Sequence, residues 1–90
     1  MKAEQVRDVA GVCKMLGEPT RVGIMALVAK RANSVGALCK ALKLPQPKAS
    51  HHLGLLWRTG VLRRQRKGKK MFYSLNREKV TPVRKFLAKL

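Results

Sequence analysis

Acidic residues are scarce in this sequence. Only four of the 90 residues are carboxylates, namely Glu4, Asp8, Glu18 and Glu78. They are too few and too scattered to predict a general acid–base pair or an oxygen cage for a hard cation. The sequence also shows no nucleophile–base pair and no phosphate-binding loop. It therefore predicts a protein that is not an enzyme and that needs no cofactor.

Long apolar runs and cysteines are scarce as well. The longest apolar stretch, Val22–Ala29, has eight residues, far short of the roughly 20 that a membrane-spanning helix needs. The N-terminal residues include Glu4 and Asp8 and no long apolar stretch, which argues against a signal peptide. Two cysteines without an export signal favour reduced thiols over disulfides. We therefore expect a cytoplasmic protein with no membrane partner.

Lysine and arginine, in contrast, are abundant. They number 21 against four acidic residues, which gives a formal net charge of +17. From Pro19 to Arg77 there are fourteen basic residues and no acidic one, and the densest part runs from Arg58 to Lys70. A solvated surface normally mixes both signs, so this segregation predicts a binding surface for a polyanion.

Apolar residues recur at helical spacing through the first two thirds of the chain. Four helices are predicted, over residues 4–16, 19–31, 34–42 and 47–59. Gly17 and Gly60 suit the ends of the first and fourth helices, and Asn33 or Ser34 suits the start of the third. The two prolines in Leu44–Pro47 exclude a helix that begins before Pro47.

After Gly60 the pattern changes from helical to alternating. This change predicts a β-hairpin over residues 61–75 with a strongly basic tip. Thr81 and Pro82 then suit the cap and first position of a last helix over residues 82–89. Because Pro82 would break a helix begun at Asn76, residues 77–80 are predicted to form only a loose turn.

The predicted fold is a single domain over residues 1–90, mainly α with a small β-hairpin, in the order α-α-α-α-β-β-α. This is the order of a winged helix-turn-helix, in which one helix enters the major groove of DNA and its first residues reach base edges. The candidate base-reading residues are Gln46, Lys48, Ser50 and His51. The predicted hairpin over residues 61–75 is the wing of this fold. Its candidate residues for binding the DNA backbone are Arg63, Arg64, Arg66, Lys67, Lys69 and Lys70.

Five segments carry a resemblance to a known family. They are Leu16–Arg21, Ala37–Leu42, Gln46–Leu53, Thr59–Leu62 and Met71–Leu75. In this order and spacing they resemble the ArsR/SmtB repressors of bacteria, which are winged helix-turn-helix proteins. The resemblance implies a homodimer joined through the first and last helices, a palindromic operator in double-stranded DNA, and repression that an effector usually releases. It also implies a nucleoid-associated bacterial protein.

The metal sites of that family do not carry over. Ser34 and Gly36 stand near the positions where the family has one pair of cysteine ligands, and residues 77–90 offer only Glu78 for the other site. His51 and His52 are adjacent and point about 100° apart on a helix, so they do not converge on one ion. We therefore expect no metal site.

Several residues allow a structural and a functional interpretation. Cys13 and Cys39 lie on apolar stripes, which favours small core residues, but Lys14 and Lys40 beside them allow a redox-active thiol. Trp57 is predicted to lie on the buried side of the fourth helix and to pack against the wing or the second helix rather than on a base. Phe72 is predicted to pack from the wing into the core.

Two other functions fit part of the sequence. The charge alone fits non-specific nucleic-acid binding, by an architectural or an RNA-binding protein, as well as it fits a repressor. Membrane-surface binding requires a strongly amphipathic basic helix, and here the densest charge lies on the predicted hairpin. Competition with random DNA separates a repressor from a non-specific nucleic-acid-binding protein, because only a repressor stays on its operator.

Overall fold

The computed structural model describes residues 1–90 and contains five helices and three strands. In chain order they are α1 (Ala3–Leu16), α2 (Pro19–Lys30), β1 (Asn33–Ser34), α3 (Val35–Leu42), α4 (Gln46–Arg58), β2 (Leu62–Lys67), β3 (Lys70–Leu75) and α5 (Arg77–Ala88). The predicted fold class, a mainly α winged helix-turn-helix, is confirmed. None of the five helices is long and apolar enough to cross a membrane.

Short polar side chains and prolines set the helix starts. The Glu18 carboxylate accepts a hydrogen bond of 3.0 Å from the backbone N–H of Arg21 and so caps α2. The Ser34 hydroxyl accepts one of 3.1 Å from the N–H of Ala37 and caps α3. The helix α4 begins at Gln46, one residue earlier than predicted, because a proline such as Pro47 is tolerated in the first turn, where its missing N–H would lack a partner.

The sheet has the strand order β1-β3-β2, and both pairs are antiparallel. The strands β2 and β3 form the predicted hairpin around the two-residue turn Gly68–Lys69, where Gly68 has the positive φ of +63° that such a turn requires. The two-residue strand β1 was not predicted, because a strand so short carries no alternation pattern. Its pairing with Tyr73 and Phe72 ties the start of α3 to the wing.

One apolar core holds the helices and the base of the wing together. Thirteen buried residues form it: Val9, Val12, Met15, Ile24, Met25, Val28, Leu38, Leu53, Leu56, Val61, Leu62, Tyr73 and Val83. Each of the five helices and both long strands contributes at least one of them. The helix α4 contributes two fully buried leucines to this core, which fixes which of its faces points outward.

The predicted start of the last helix, and the loose turn predicted over residues 77–80, are wrong. The helix α5 begins at Arg77 and passes through Pro82, which lies inside it. Val83 is buried in the core and Val80 and Phe86 pack against it, so tertiary packing outweighs the backbone hydrogen bond that Pro82 cannot donate. The Thr81 hydroxyl donates a hydrogen bond of 2.8 Å to the carbonyl of Arg77 within the same turn.

The prediction that Cys13 is a buried core residue is also wrong. Val9, Val12 and Met15 of α1 are buried, whereas Cys13, which lies on the predicted apolar stripe, is exposed, as is Val6. The helix carries two apolar faces, and periodicity alone does not show which of them its own chain covers. Cys39 on α3 is half-buried.

Candidate nucleic-acid interface

The first turns of α4 present a polar surface to solvent. Ala49, His52, Leu53 and Leu56 face inward and anchor the helix. The four candidate base-reading residues are all exposed: Gln46, Lys48, Ser50 and His51. Because no carboxylate stands among them, this surface can donate hydrogen bonds to base edges and phosphates without repelling the duplex.

A buried histidine joins α4 to the start of α2. His52 is only 8% exposed, and its Nδ1 lies 3.6 Å from the Glu18 carboxylate with no hydrogen-bond partner. Burial lowers the pKa of His52 and the charge of Glu18 raises it, while Arg21, His51 and Lys48 lower it further. The net direction is downward, so the neutral imidazole is favoured beneath the polar surface of α4.

Glu18 is held in its charged form at the other end of this contact. Burial raises the pKa of Glu18, but hydrogen bonds from the backbone of Thr20 and Arg21 and the charge of His52 lower it. The net pKa lies below the ordinary value for a glutamate. Glu18 therefore serves as the negatively charged cap of α2 and as a negative charge 3.6 Å from the buried imidazole.

The basic residues of the wing divide between two faces of the hairpin. Residues opposite each other in an antiparallel pair share one face. Arg64 pairs with Tyr73 and Arg66 with Met71, and these lie on the same face as the buried Leu62, toward the helices. The alternate side chains of β2, at Arg63, Gln65 and Lys67, lie on the opposite face. All of residues 63–70 are exposed.

Arg64 stacks on the single tryptophan of the chain. Its guanidinium carbon lies 3.5 Å from the centre of the Trp57 ring, a cation–π contact between the wing and the last turn of α4. The prediction that Trp57 packs against the wing or the second helix is confirmed by this contact with the wing. Its assignment to the buried side of α4 is wrong, since Trp57 is 40% exposed.

On the opposite face of the wing, Arg63 and Lys67 make contacts within the chain itself. Arg63 lies 3.7 Å from the Glu78 carboxylate of α5, and the Lys67 ammonium lies 5.6 Å from the centre of the Phe72 ring. The prediction that Phe72 packs into the core is wrong, because the register places its neighbour Tyr73 there instead. A shift of one residue moves a side chain to the opposite face of a strand.

A groove of about 690 Å³ lies between α3, the start of α4 and the wing. Its polar lining residues are Ser34, Lys40, Gln46, Arg66, Lys69 and Lys70. The structure thus brings one base-reading candidate and three wing candidates to the same concave surface. Lys40 was not predicted as a site residue, because only the pairing of β1 with β3 brings α3 next to the wing.

The remaining candidate ligands do not come together. Cys13 and Cys39 are free thiols on different helices. The ring planes of His51 and His52 are inclined by 65° and their centres lie 5.5 Å apart. No three residues of the types His, Cys, Asp and Glu form a group that could hold a metal ion.

The helix-turn-helix segment matches a known protein family. The model of this family, described as bacterial regulatory protein, arsR family, matches residues 18–63. The chain belongs to the arsR family. The match begins at the cap of α2 and ends in β2, so it includes all of α3 and α4. The predicted family is confirmed, and the chain is a DNA-binding transcriptional regulator and not an enzyme.

Relatives of this arsR-family chain cover most of its length. It is 33% identical over 90 residues to the HTH-type transcriptional regulator MJ1325 of Methanocaldococcus jannaschii, covering 97% of this chain and 99% of the relative. It is 36% identical over 83 residues to the transcriptional repressor PagR of Bacillus anthracis, covering 91% and 83%. The crystal structure of the repressor BigR of Xylella fastidiosa superposes with a TM-score of 0.78 at 26% identity, covering 97% and 90%.

Proposed function

We propose that this arsR-family regulator is a homodimeric repressor that binds a palindromic operator. In this proposal the first turns of α4 read bases, and the wing holds the DNA backbone. The observation that carries it is the shared groove, where Gln46 of α4 meets Arg66, Lys69 and Lys70 of the wing. A duplex lying along α4 reaches both sets of side chains from one side of the molecule.

The dimer is supported by apolar side chains that the single chain leaves uncovered. Val6 of α1 is 49% exposed and Leu87 of α5 is 55% exposed, and Leu90 and Met1 are also exposed. The helices α1 and α5 pack against each other, so these side chains can be covered by a second copy of the same two helices. A twofold dimer would place two α4 helices about 34 Å apart, one turn of DNA.

Regulation without the family's metal switch is part of the proposal. Ser34 and Gly36 provide no thiolate near the positions of one family site, and Ser34 is already used as the cap of α3. The helix α5 provides only Glu78 of the usual ligand types, and this carboxylate lies 3.7 Å from Arg63. An effector of another chemistry, or none, would then control release of the operator.

Two alanine variants test the division of roles. Sites selected from random duplexes first supply the operator, and binding is then measured against excess random DNA at several salt concentrations. Lys69→Ala is expected to weaken all duplexes alike and to lower the salt slope by about 1 per lost phosphate contact. Gln46→Ala is expected to reduce the ratio of the affinity for the operator to the affinity for random DNA. Identical behaviour of the two variants would contradict the proposed roles.

Non-specific nucleic-acid binding is the second candidate, favoured by the net charge of +17. The same competition experiment separates it from the first candidate. A repressor keeps its operator against excess random duplex, whereas an architectural or RNA-binding protein exchanges between them. A selection that returns no recurring half-site would support this second function.

A further inference from the structure

We propose that Arg64 and Trp57 form a positioning pair that fixes the wing against α4. In this proposal Arg64 acts through the position of the hairpin and does not itself bind phosphate, although the sequence predicts it among the residues that bind the DNA backbone. The inference rests on the proposed binding of DNA by α4 and the wing, and it assigns a role to one contact between these two elements.

The Arg64 side chain is directed toward the helices. It lies on the same face of β2 as Leu62, which is fully enclosed by the core, and its partner across the hairpin is the buried Tyr73. Its guanidinium carbon lies 3.5 Å from the centre of the Trp57 ring, which is van der Waals contact. The two ion pairs of the chain do not include Arg64. The indole is therefore the group that holds this cation in place.

The contact lies far from the residues that are proposed to read bases. Gln46 and Trp57 stand eleven positions apart on α4, which corresponds to roughly 17 Å along a helix. Arg64 does not line the groove in which Gln46 meets Arg66. Arg64 is thus placed at the joint between the helix and the hairpin and not on the concave surface that the duplex is proposed to fill.

The wing is attached to the rest of the chain along both of its edges. On one edge, β1 pairs with β3. On the other edge, the backbone N–H of Val61 donates a hydrogen bond of 3.0 Å to the carbonyl of Leu56, but every residue of β2 after Leu62 is exposed. Arg64 is the next side chain on the face toward the helices, about 7 Å along the strand. Its stack extends the attachment of this edge beyond the buried base of the hairpin.

A fixed wing favours DNA binding because base contacts by α4 and phosphate contacts by the hairpin form on the same duplex at the same time. The apparent affinity of a protein falls in proportion to the fraction of free molecules that have the binding-competent arrangement. A cation–π contact at an exposed site shifts such an equilibrium by a factor of about two to five. The stack therefore raises the affinity for DNA without a contact to the DNA.

Removal of the ring tests the pair at constant net charge. Trp57→Leu is expected to lower operator affinity about two- to fivefold per subunit, because leucine keeps an apolar side chain but offers no ring to the cation. Trp57→Tyr keeps an aromatic ring and is expected to bind within about 1.5-fold of the parent protein. Trp57 is exposed, so both variants are expected to fold, which urea denaturation checks. Parent-like affinity of Trp57→Leu, or equal losses in the two variants, would overturn the proposal.

Arg66 provides a matched control for Arg64. Both are exposed arginines on the same face of β2, and each glutamine variant removes one positive charge. Arg66→Gln is expected to lower the salt slope of DNA binding by about 1 per subunit, as the loss of a phosphate contact does. Arg64→Gln is expected to lower operator affinity as Trp57→Leu does and to change the salt slope by less than about half as much as Arg66→Gln. Equal changes of slope would overturn the proposal, because Arg64 would then bind phosphate itself.

The double variant Trp57→Leu with Arg64→Gln shows whether the two residues act as one unit. Residues that act through a single contact lose no more affinity together than either loses alone, whereas the losses of independent residues multiply. The double variant is therefore expected to bind the operator within about 1.5-fold of Trp57→Leu. Losses that multiply would overturn the pair while leaving the function of α4 and the wing intact. A parent protein that prefers no duplex would instead contradict the function itself.

Discussion

At the scale of single residues, the most informative contact is the one between His52 and Glu18. His52 lies on the buried side of α4, and its imidazole Nδ1 has no hydrogen-bond partner. The neutral form fits this environment, because burial removes water from the ring while the carboxylate at 3.6 Å only partly compensates. The stability of α4, which presents the candidate base-reading residues, is thereby linked to pH.

We predict that the free energy of unfolding decreases as the pH falls below about 6.5, the ordinary pKa of histidine. In this range the unfolded chain binds a proton at His52 and the folded chain does not, so acid favours unfolding. The loss continues until the pH reaches the lowered pKa of the folded state. Urea denaturation at a series of pH values between 7.5 and 5 measures it.

Two substitutions identify the group responsible. His52→Gln is expected to flatten the pH dependence in this range, whatever its effect on absolute stability. Glu18→Gln removes the charge that raises the pKa of His52, so the decline should extend to lower pH. Glu18 itself adds a loss near and below pH 4.5, because its pKa is also lowered on folding. An unchanged slope in His52→Gln would contradict the assignment.

Sequence reasoning at this scale succeeds where polarity decides the outcome. The exposure of Gln46, Ser50 and His51 follows from one apolar face and one polar face on a single helix. It fails where two apolar faces or two strand faces compete, as for Cys13 and Phe72. In those cases the position of a neighbouring element decides which face is buried, and a single periodicity does not contain that information.

At the scale of elements, α5 shows how packing outweighs local preference. A proline inside a helix costs about 3 kcal/mol through a missing hydrogen bond and a steric clash with the preceding turn. The buried Val83 and the partly buried Val80 and Phe86 hold the helix continuous across Pro82. The sequence correctly predicted a helix here, and the cost of Pro82 explains why its first five residues were missed.

We predict that Pro82→Ala stabilises the protein by about 1–2 kcal/mol, since it restores the hydrogen bond and part of this gain is offset by a more flexible unfolded chain. Thermal denaturation at one fixed protein concentration measures the change. Pro47→Ala is the control, because Pro47 lies in the first turn of α4 and blocks no helical hydrogen bond. This control is expected to lose no more than about 1 kcal/mol. A larger gain from Pro47→Ala would contradict the explanation.

The strand β1 explains why the groove could not be predicted from the sequence. Two residues carry no strand pattern, yet their pairing with β3 positions α3 beside the wing. The helix α4 and the hairpin, in contrast, were both predicted within one residue of their observed limits, because each has a long periodic pattern. The parts of the interface that lie within one element were predictable, and the part that lies between elements was not.

At the scale of the whole molecule, the uncovered faces of α1 and α5 determine the assembly. We predict that Leu87→Glu shifts the protein toward monomer and lowers operator affinity in parallel, because it places a charge in the proposed interface. Leu87 is 55% exposed in the single chain, so the substitution should leave the fold intact. Sedimentation velocity measures the assembly state over a range of concentrations.

Val22→Glu is the matched control for this prediction. Val22 lies on α2 and is 45% exposed, so the substitution introduces the same charge at a similarly exposed apolar position. It is expected to leave the assembly state unchanged. If both variants sediment like the parent protein, the interface lies elsewhere on the surface.

The stacking of Arg64 on Trp57 has a practical consequence. Trp57 is the only indole in the chain, and it stands at the joint between the reading helix and the hairpin. Its fluorescence emission therefore originates from one known position in each subunit. If the hairpin moves away from α4 when the protein binds or releases a duplex, the Arg64 guanidinium separates from the Trp57 ring and the emission changes. The motion can then be followed in real time without attaching a dye.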